Sequence, residues 1–593
     1  MSWLPLLRIS PSSCRCRPWE ACWPSEAEWV SFNESIGGNL VNLRPVGYVC
    51  HDPTFDPVAC NTLRSLELDS GWRASQPGAL QHWLWESGQT ENQTCPAGSP
   101  REMPCGQGRI SLYSATVTSA THVQRAVAFA KKHNIRLVIK NTGHDGSGRS
   151  ASPDSLQIHT HLLNRIEYHS NFLANGSAGG SGPAVTIGAG VMHGDLYARG
   201  ARDGFIVVGG ECPTVGAAGG FLTGGGVSSF LSNLRGLAVD NVLEFQVVTS
   251  EGELTTANHY RNQALFWALR GGGGGTFGVI TQVSLRVYPD DPAVVSTASI
   301  TGRRTNELFW KEGVVGLLAT LRALNRENIP GQLILKPSSA RAMEAMLTLY
   351  FLNTTVPSDG KGRVLQHLTP LNGSGLHYSL SSMFQAKVSS ELRMTPDRNP
   401  DDYGILQGSV LVSNELFNSP NGLFQLADTF AKVPMRAGDI LFTSNLGGRV
   451  ASVKDIADTA MHPAWRSSAQ LVNFVRTVEP TIDGKKSALN ELRNTQMPIL
   501  YSLDPSHRVS YLNLGDPNER DFQRVYWGKN YDRLYRVKQD VDKDGLFITR
   551  LGVGSEDWDE DGMCRKARSL FSHIQQVLLS STKKLTMYIS LAQ

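Results

Sequence analysis

Between Val207 and Val227 the chain reads VVGGECPTVGAAGGFLTGGGV, and eight of these twenty-one residues are glycine. Glycine loses more backbone entropy on folding than any other residue, so a cluster this dense is not chosen for stability. Its use is to let backbone N–H groups come close to a ligand, commonly a phosphate. A strand-like run, Phe205 to Val208, leads into the stretch, and one cysteine, Cys212, stands inside it. Alone, the stretch also reads as a flexible loop. Its surroundings argue for a ligand cradle.

The chain has 593 residues, 40% of them hydrophobic and 18% charged, with net charge +3. That length supports two or more domains and a large core. The near-neutral balance gives no electrostatic case for nucleic acid or a membrane surface, and no apolar run is long enough for a membrane-spanning helix. No metal site is expected. Seven of nine cysteines (Cys14, Cys16, Cys22, Cys50, Cys60, Cys95, Cys105) precede residue 110, leaving Cys212 and Cys564 far apart. Front-loaded cysteines suggest a disulfide-stapled extension, with the pairing open. Sequons at Asn33, Asn92, Asn175, Asn353 and Asn372 suit a glycosylated, secreted protein, although MSWLPLLRIS is a poor signal peptide.

In chain order, residues 1–108 read as an irregular cysteine-rich lead, with organised structure beginning at Ile110. A strand over 111–119 precedes a helix opened by Thr121, with Val123, Ala126, Val127 and Ala130 at helical spacing. Ile135, Leu137 and Ile139 then form a strand that ends in NTGHDGSGRS, placing His144 at a strand's carboxyl end. From Ala184 the order is strand, helix, strand, and then the glycine stretch. A hairpin over LEFQVVTSEGELTTAN and a five-glycine loop, Gly271–Gly275, follow. No G-x-G-x-x-G opens a long helix, which argues against a dinucleotide-binding Rossmann unit.

His144 in KNTGHDGSGRS, Cys212 in GGECPTVGAAGGFLTGGG, and ALRGGGGGTFGVI together resemble the vanillyl-alcohol oxidase/p-cresol methylhydroxylase (PCMH) flavoprotein superfamily. Within it, the likeness is to the berberine-bridge-enzyme-like, oxygen-dependent FAD-linked oxidoreductases, especially fungal ones. It covers residues 109–290 and returns in YWGKNYDRLYRVKQDVD. The resemblance implies an α+β fold: a two-subdomain PCMH-type FAD-binding domain (109–290), then an α+β substrate domain with an antiparallel sheet (291–500). A C-terminal segment (501–593) returns to the FAD domain.

The likeness makes His144 the residue bonded to the flavin 8α-methyl group, and Cys212 a second link through sulfur to ring carbon 6. Asn141, Thr142, Gly143, Asp145, Gly146, Gly210, Thr214, Val215, Gly216, Gly219 and Gly220 would contact the cofactor around these anchors. Gly278, Val279 and Ile280 would meet its adenine side, and Asn530 and Tyr531 would touch it from the C-terminal segment. Tyr526 would sit over the flavin as the catalytic base, and GVGSEDW (552–558) would form a surface tail. Three positions depart from the family pattern: Gly146 replaces an aromatic residue, Val227 a tyrosine or histidine, and Glu211 a neutral residue or histidine. A buried Glu211 is costly unless paired.

The implied function is an FAD-linked oxidase that removes a hydride from a small organic substrate, with O2 as acceptor. The alternatives are a dehydrogenase or oxidative cyclase that uses O2 poorly, or a non-catalytic secreted glycoprotein of the same fold. The sequence leaves the oligomeric state unknown.

Overall fold

The computed structural model describes residues 14–303, 307–339, 342–368, 378–389, 404–452 and 458–566. The sequon at Asn372 and the stretch MSWLPLLRIS lie outside the described residues.

The flavin-motif region builds two sheets. In the first, strands Tyr113–Thr116, Ser155–His159 and Arg136–Lys140 run parallel, with the 155–159 strand in the middle. Helix Ala120–Lys132 makes the crossover, capped by Ser119, and buries the predicted Val123, Ala126, Val127 and Ala130. A parallel pair requires such a crossover, and it leaves the 141–145 loop at the carboxyl end of a strand. The second sheet is antiparallel, in the order Ile166–His169, Ala184–Gly188, Val279–Arg286, Val242–Val248, Leu254–Asn258. Its last pair is the predicted hairpin.

Residues 293–477 build a seven-stranded antiparallel sheet, ordered Tyr378–Gln385, Ala293–Arg303, Ala342–Leu352, Gly331–Ser339, Ile440–Asn445, Ser468–Thr477, Ile405–Ser413. Side chains alternate across it. Leu333, Leu335, Leu347 and Leu441 enter a core shared with helices Glu307–Arg326 and Gly422–Lys432. On the other face, Phe442, Ser444, Ile405 and Gln407 line a cavity. The fold is α+β.

Two expectations are corrected. Residues 14–108 are not an irregular lead. Helix Glu26–Ser35 sets Trp29 on Tyr113 (centroids 4.0 Å apart) and Phe32 on Phe129 (4.3 Å), and strand Leu40–Asn42 extends the first sheet antiparallel to Tyr113–Thr116. Elements this short carry too few apolar repeats to stand out in sequence, and disulfides Cys16–Cys22, Cys50–Cys60 and Cys95–Cys105 fix them. Cys14 pairs with Cys564, joining the lead to the C-terminal segment. Nor is 552–558 a surface tail. Val553 and Trp558 are buried, and Glu556 and Asp557 accept hydrogen bonds from Tyr531 and Tyr535.

The C-terminal helix Tyr531–Val541 is fastened to the five-glycine loop by Lys538. Its buried ammonium donates to the carbonyls of Thr276 and Phe547 at 2.6 Å each, and to Asp542 at 2.5 Å. Asp542 in turn accepts from the backbone N–H groups of Leu546 and Phe547. Lys538→Ala strands a buried carboxylate and is expected to lower unfolding free energy by about 3–5 kcal/mol. Chemical denaturation measures this; a loss below about 1 kcal/mol, the level of an exposed pair, contradicts the account.

Candidate flavin and substrate site

The loops that follow the first sheet, the glycine stretch and the five-glycine loop converge on one cavity of about 520 Å³. Asn141, Thr142, Gly143, His144 and Asp145 line it from the first loop, and Gly210, Glu211, Cys212, Val215, Gly216, Gly219 and Gly220 from the second. Gly278 and Ile280 line it further along, and Tyr511, Asn513 and Leu514 enter from the C-terminal segment.

Close backbone approach explains the glycines. A Cβ on Gly216 or Gly219 would lie 2.2 or 2.9 Å from the Asn141 amide, and one on Gly274 would lie 3.0 Å from Gly220 Cα. Gly143 has φ +83°, and a side chain there would press on Lys140 and on Leu80 of the lead. Gln81 of the lead holds this loop too, its N–H donating to Gly143 O at 3.1 Å and its amide to Thr142 O at 3.2 Å. The next residue, His82, lines the cavity.

Two loops distant in sequence meet at His144. Its Nε2 lies 2.6 Å from Thr214 Oγ1, two residues past Cys212. Cys212 stands outside the four disulfides. Glu211 accepts from Gln332 Nε2 at 3.5 Å, and Gln332 also donates to Tyr350 Oη at 3.3 Å. The seven-stranded sheet therefore gives this half-buried carboxylate a polar neighbour.

Six expected residues do not line the cavity. Thr214 acts through His144, and Val279 is buried beside Gly278. Gly146 is buried outside the lining, and a Cβ there would have Asn513 O as its nearest neighbour, at 3.9 Å. Tyr526 is buried and its hydroxyl donates to Asp516 O at 3.1 Å; burial, with Asp516 and Glu519 nearby, raises its pKa far above the ordinary phenol value. Asn530 donates to Met461 O at 2.7 Å and Tyr531 to Glu556. None of these three bonds is made to a residue that lines the cavity.

The tyrosine that does reach the cavity is Tyr511. Its hydroxyl accepts from Gly226 N–H at 3.1 Å and from Asn513 Nδ2 at 2.9 Å. Burial pushes its pKa up to about 12, against the pull of those donors. A polar group thus reaches the glycine triplet from Tyr511 although Val227 itself is apolar. Nothing periodic marks Tyr511 or His82 in the sequence. The one cue to Tyr511 is its nearness to the YWGKNY motif, a short way downstream.

Asp516, beside Tyr526, carries a second consequence. Burial pushes its carboxyl up to about 6, above an ordinary value of about 3.9. The folded state therefore holds that proton more tightly than the unfolded state. The stabilisation is complete below about pH 4 and is lost as pH rises through about 6. Asp516→Asn is expected to stabilise the protein by about 2–3 kcal/mol at about pH 7.5 and to be nearly neutral at about pH 4. Thermal melts at both pH values check it; an equal effect at both contradicts the assignment.

Known proteins resemble this chain in sequence and fold. Residues 112–258 match the FAD binding domain family, and residues 510–554 the berberine and berberine-like family. The chain is 55% identical over 567 residues to the FAD-linked oxidoreductase easE of Epichloe festucae var. lolii, covering 95% of this chain and 94% of that protein. It is 49% identical over 572 residues to the FAD-linked oxidoreductase asqF of Emericella nidulans, covering 95% and 97%. The chain belongs to the berberine-bridge-enzyme-like FAD-linked oxidoreductases. Among solved structures, the VAO-type flavoprotein MtVAO615 of Myceliophthora thermophila C1 superposes with TM-score 0.82 at 29% identity, over 93% of this chain and 100% of that one. A variant of berberine bridge enzyme also shares the fold, with TM-score 0.58 at 18% identity, over 75% and 90%.

FAD is the cofactor of this oxidoreductase, and the cavity suits it. Asn141 Oδ1 is buried at its wall with no hydrogen-bond partner among the described residues, an acceptor left for a donor on a ligand. The glycine loops leave backbone N–H groups where a pyrophosphate is best held. Glu211, next to Cys212, ties the second loop to Gln332 of the seven-stranded sheet, and the 273–278 loop supplies further wall.

Proposed function

We propose that this oxidoreductase is an oxidase with covalently held FAD, acting on a small organic substrate and passing electrons to O2. The contact that carries the reading is His144 Nε2 to Thr214 Oγ1, which draws the histidine loop and the Cys212 loop together at one cavity wall. Imidazole and thiolate are the side-chain nucleophiles suited to an electrophilic ring. When bound, FAD supplies a hydride acceptor. The chain's own residues do the rest. Phe442, Leu471 and Ile405 present an apolar wall that excludes water, while Gln407 and Ser444 offer hydrogen bonds to a substrate. The Tyr511 hydroxyl donates to a substrate heteroatom, and the His82 imidazole accepts the proton released as the hydride leaves.

The deciding experiment offers the purified protein a panel of alcohols, sugars and amines and follows flavin bleaching, peroxide release and dye reduction. Stoichiometric peroxide from a bleaching donor supports the oxidase. Fast dye reduction with negligible peroxide makes it a dehydrogenase instead, and no bleaching with any donor favours a non-catalytic relative.

The four disulfides, with exposed sequons at Asn92, Asn175 and Asn353, support passage through a secretory pathway. Asn33 is held instead, its side-chain oxygen accepting from Leu40 N–H at 2.9 Å. Protein exported from a eukaryotic host is expected to lose mass on deglycosylation, with glycans on those exposed sites; an unchanged mass counts against the reading.

A further inference from the structure

Helix His193–Asp203 starts directly against the loop that carries Cys212. Its first two residues reach the far side of the cysteine: His193 N–H donates to Val215 O at 3.0 Å, and Gly194 N–H to Pro213 O at 2.8 Å. The side chains of the same turn reach the near side. Gly210 N–H donates to His193 Nε2 at 3.2 Å, and Tyr197 Oη donates to Gly210 O at 2.6 Å. One helical turn therefore holds the backbone on both sides of Cys212.

The two side chains are built for this task. Their i, i+4 spacing puts them on one face, where the rings stack with centroids 5.7 Å apart. Both are buried. Complete burial, with His144 nearby, lowers the His193 pKa to about 3, so its ring stays neutral and Nε2 keeps the lone pair that Gly210 uses. The loop is shaped to match. A Cβ on Gly209 would lie 2.4 Å from Tyr197 Oη and 2.9 Å from His193 Cδ2, so only glycine lets the backbone settle this close.

We propose that His193 and Tyr197 are positioning residues, a two-sided clamp on Gly210 that sets where the Cys212 thiol stands relative to His144 and so permits the second flavin attachment. The proposal rests on the reading of Cys212 as a flavin anchor. A stretch with eight glycines has many conformations of its own. Bond formation between sulfur and one ring carbon needs a narrow geometry, and the clamp removes the freedom that composition leaves. In that step Cys212 gives up its thiol proton and forms an S–C bond as the ring carbon loses its proton. The electron pair left on the flavin passes to dioxygen, giving hydrogen peroxide.

Peptide mass mapping of purified holoprotein tests this without a substrate. Wild type is expected to give a flavin that bridges the His144 and Cys212 peptides. Tyr197→Phe, which keeps the ring and loses only the bond to Gly210, and His193→Ala are each expected to keep the His144 link. The share of flavin also linked to Cys212 falls about tenfold or more in each. His193→Gln, which restores an acceptor for Gly210 N–H, recovers part of that loss. Thermal melts separate positioning from a general loss of fold, because Tyr197→Phe should melt close to wild type. A wild-type level of Cys212 link in Tyr197→Phe and His193→Ala overturns the clamp alone. Wild type with flavin on His144 only, or on neither residue, overturns the anchor reading and the clamp with it.

Discussion

A His144→Ala, Cys212→Ala double variant is expected to release its flavin on acid precipitation, leaving a colourless pellet where the wild-type pellet is expected to stay yellow. The two loops meet through the contact of His144 with Thr214, which Cys212→Ala leaves in place and His144→Ala removes. Cys212→Ala is therefore expected to keep covalent flavin through His144, and His144→Ala to keep some through Cys212. With two anchors proposed, each single change is expected to leave the ring one pivot, and a reacting centre displaced by about 1 Å can lose about a hundredfold in rate. The expected result is a drop in kcat/KM of about tenfold to a hundredfold for each single variant, with FAD still bound. The glycine cradle explains why binding persists. The backbone donors around Gly216, Gly219 and Gly274 do not depend on either anchor. A wild-type pellet that washes colourless removes the covalent reading, although the cradle would still account for FAD.

Much of this site could be read in the sequence because it is made of glycine, and glycine signals backbone demands directly. Gly216, Gly219 and Gly220 line the same cavity as His144 and Cys212. The helix Ala120–Lys132 between two strands was also legible, since four buried residues recur at helical spacing. What escaped was contributed by segments without a period. His82 belongs to a disulfide-pinned lead whose helices are too short to declare themselves, and it reaches the cavity because Gln81 is bonded to the His144 loop. Phe442 and Ser444 are ordinary alternating strand residues, and only the tertiary arrangement decides which face of the sheet meets the flavin loops. The C-terminal motif is ambiguous for a physical reason. A tyrosine in a glycine-bordered aromatic run reads equally well as a cavity residue or as a buried core residue.

That ambiguity gives the sharpest contrast between two single-atom changes. Tyr511→Phe is expected to lower kcat by about a hundredfold or more, the scale of losing a positioned proton donor or acceptor. Tyr526→Phe is expected to leave kcat within about threefold and to cost about 1 kcal/mol of stability, the worth of one buried hydrogen bond. The geometry separates them. A hydroxyl has one proton to give and two lone pairs. Tyr511 accepts from Gly226 N–H and Asn513 Nδ2, which uses its acceptor capacity and leaves its proton to donate to a ligand in the cavity that it lines. With a pKa of about 12 it stays protonated at neutral pH and acts as a donor. Tyr526 directs its proton to Asp516 O, inside the protein. Asn513→Ala extends the test, because it removes one donor to Tyr511 without touching the ring. Its kcat should fall between wild type and Tyr511→Phe. Rates measured on any donor that bleaches the flavin decide the matter. Equal losses in Tyr511→Phe and Tyr526→Phe would return the catalytic role to the motif, and a silent Tyr511→Phe would remove Tyr511 from the chemistry altogether.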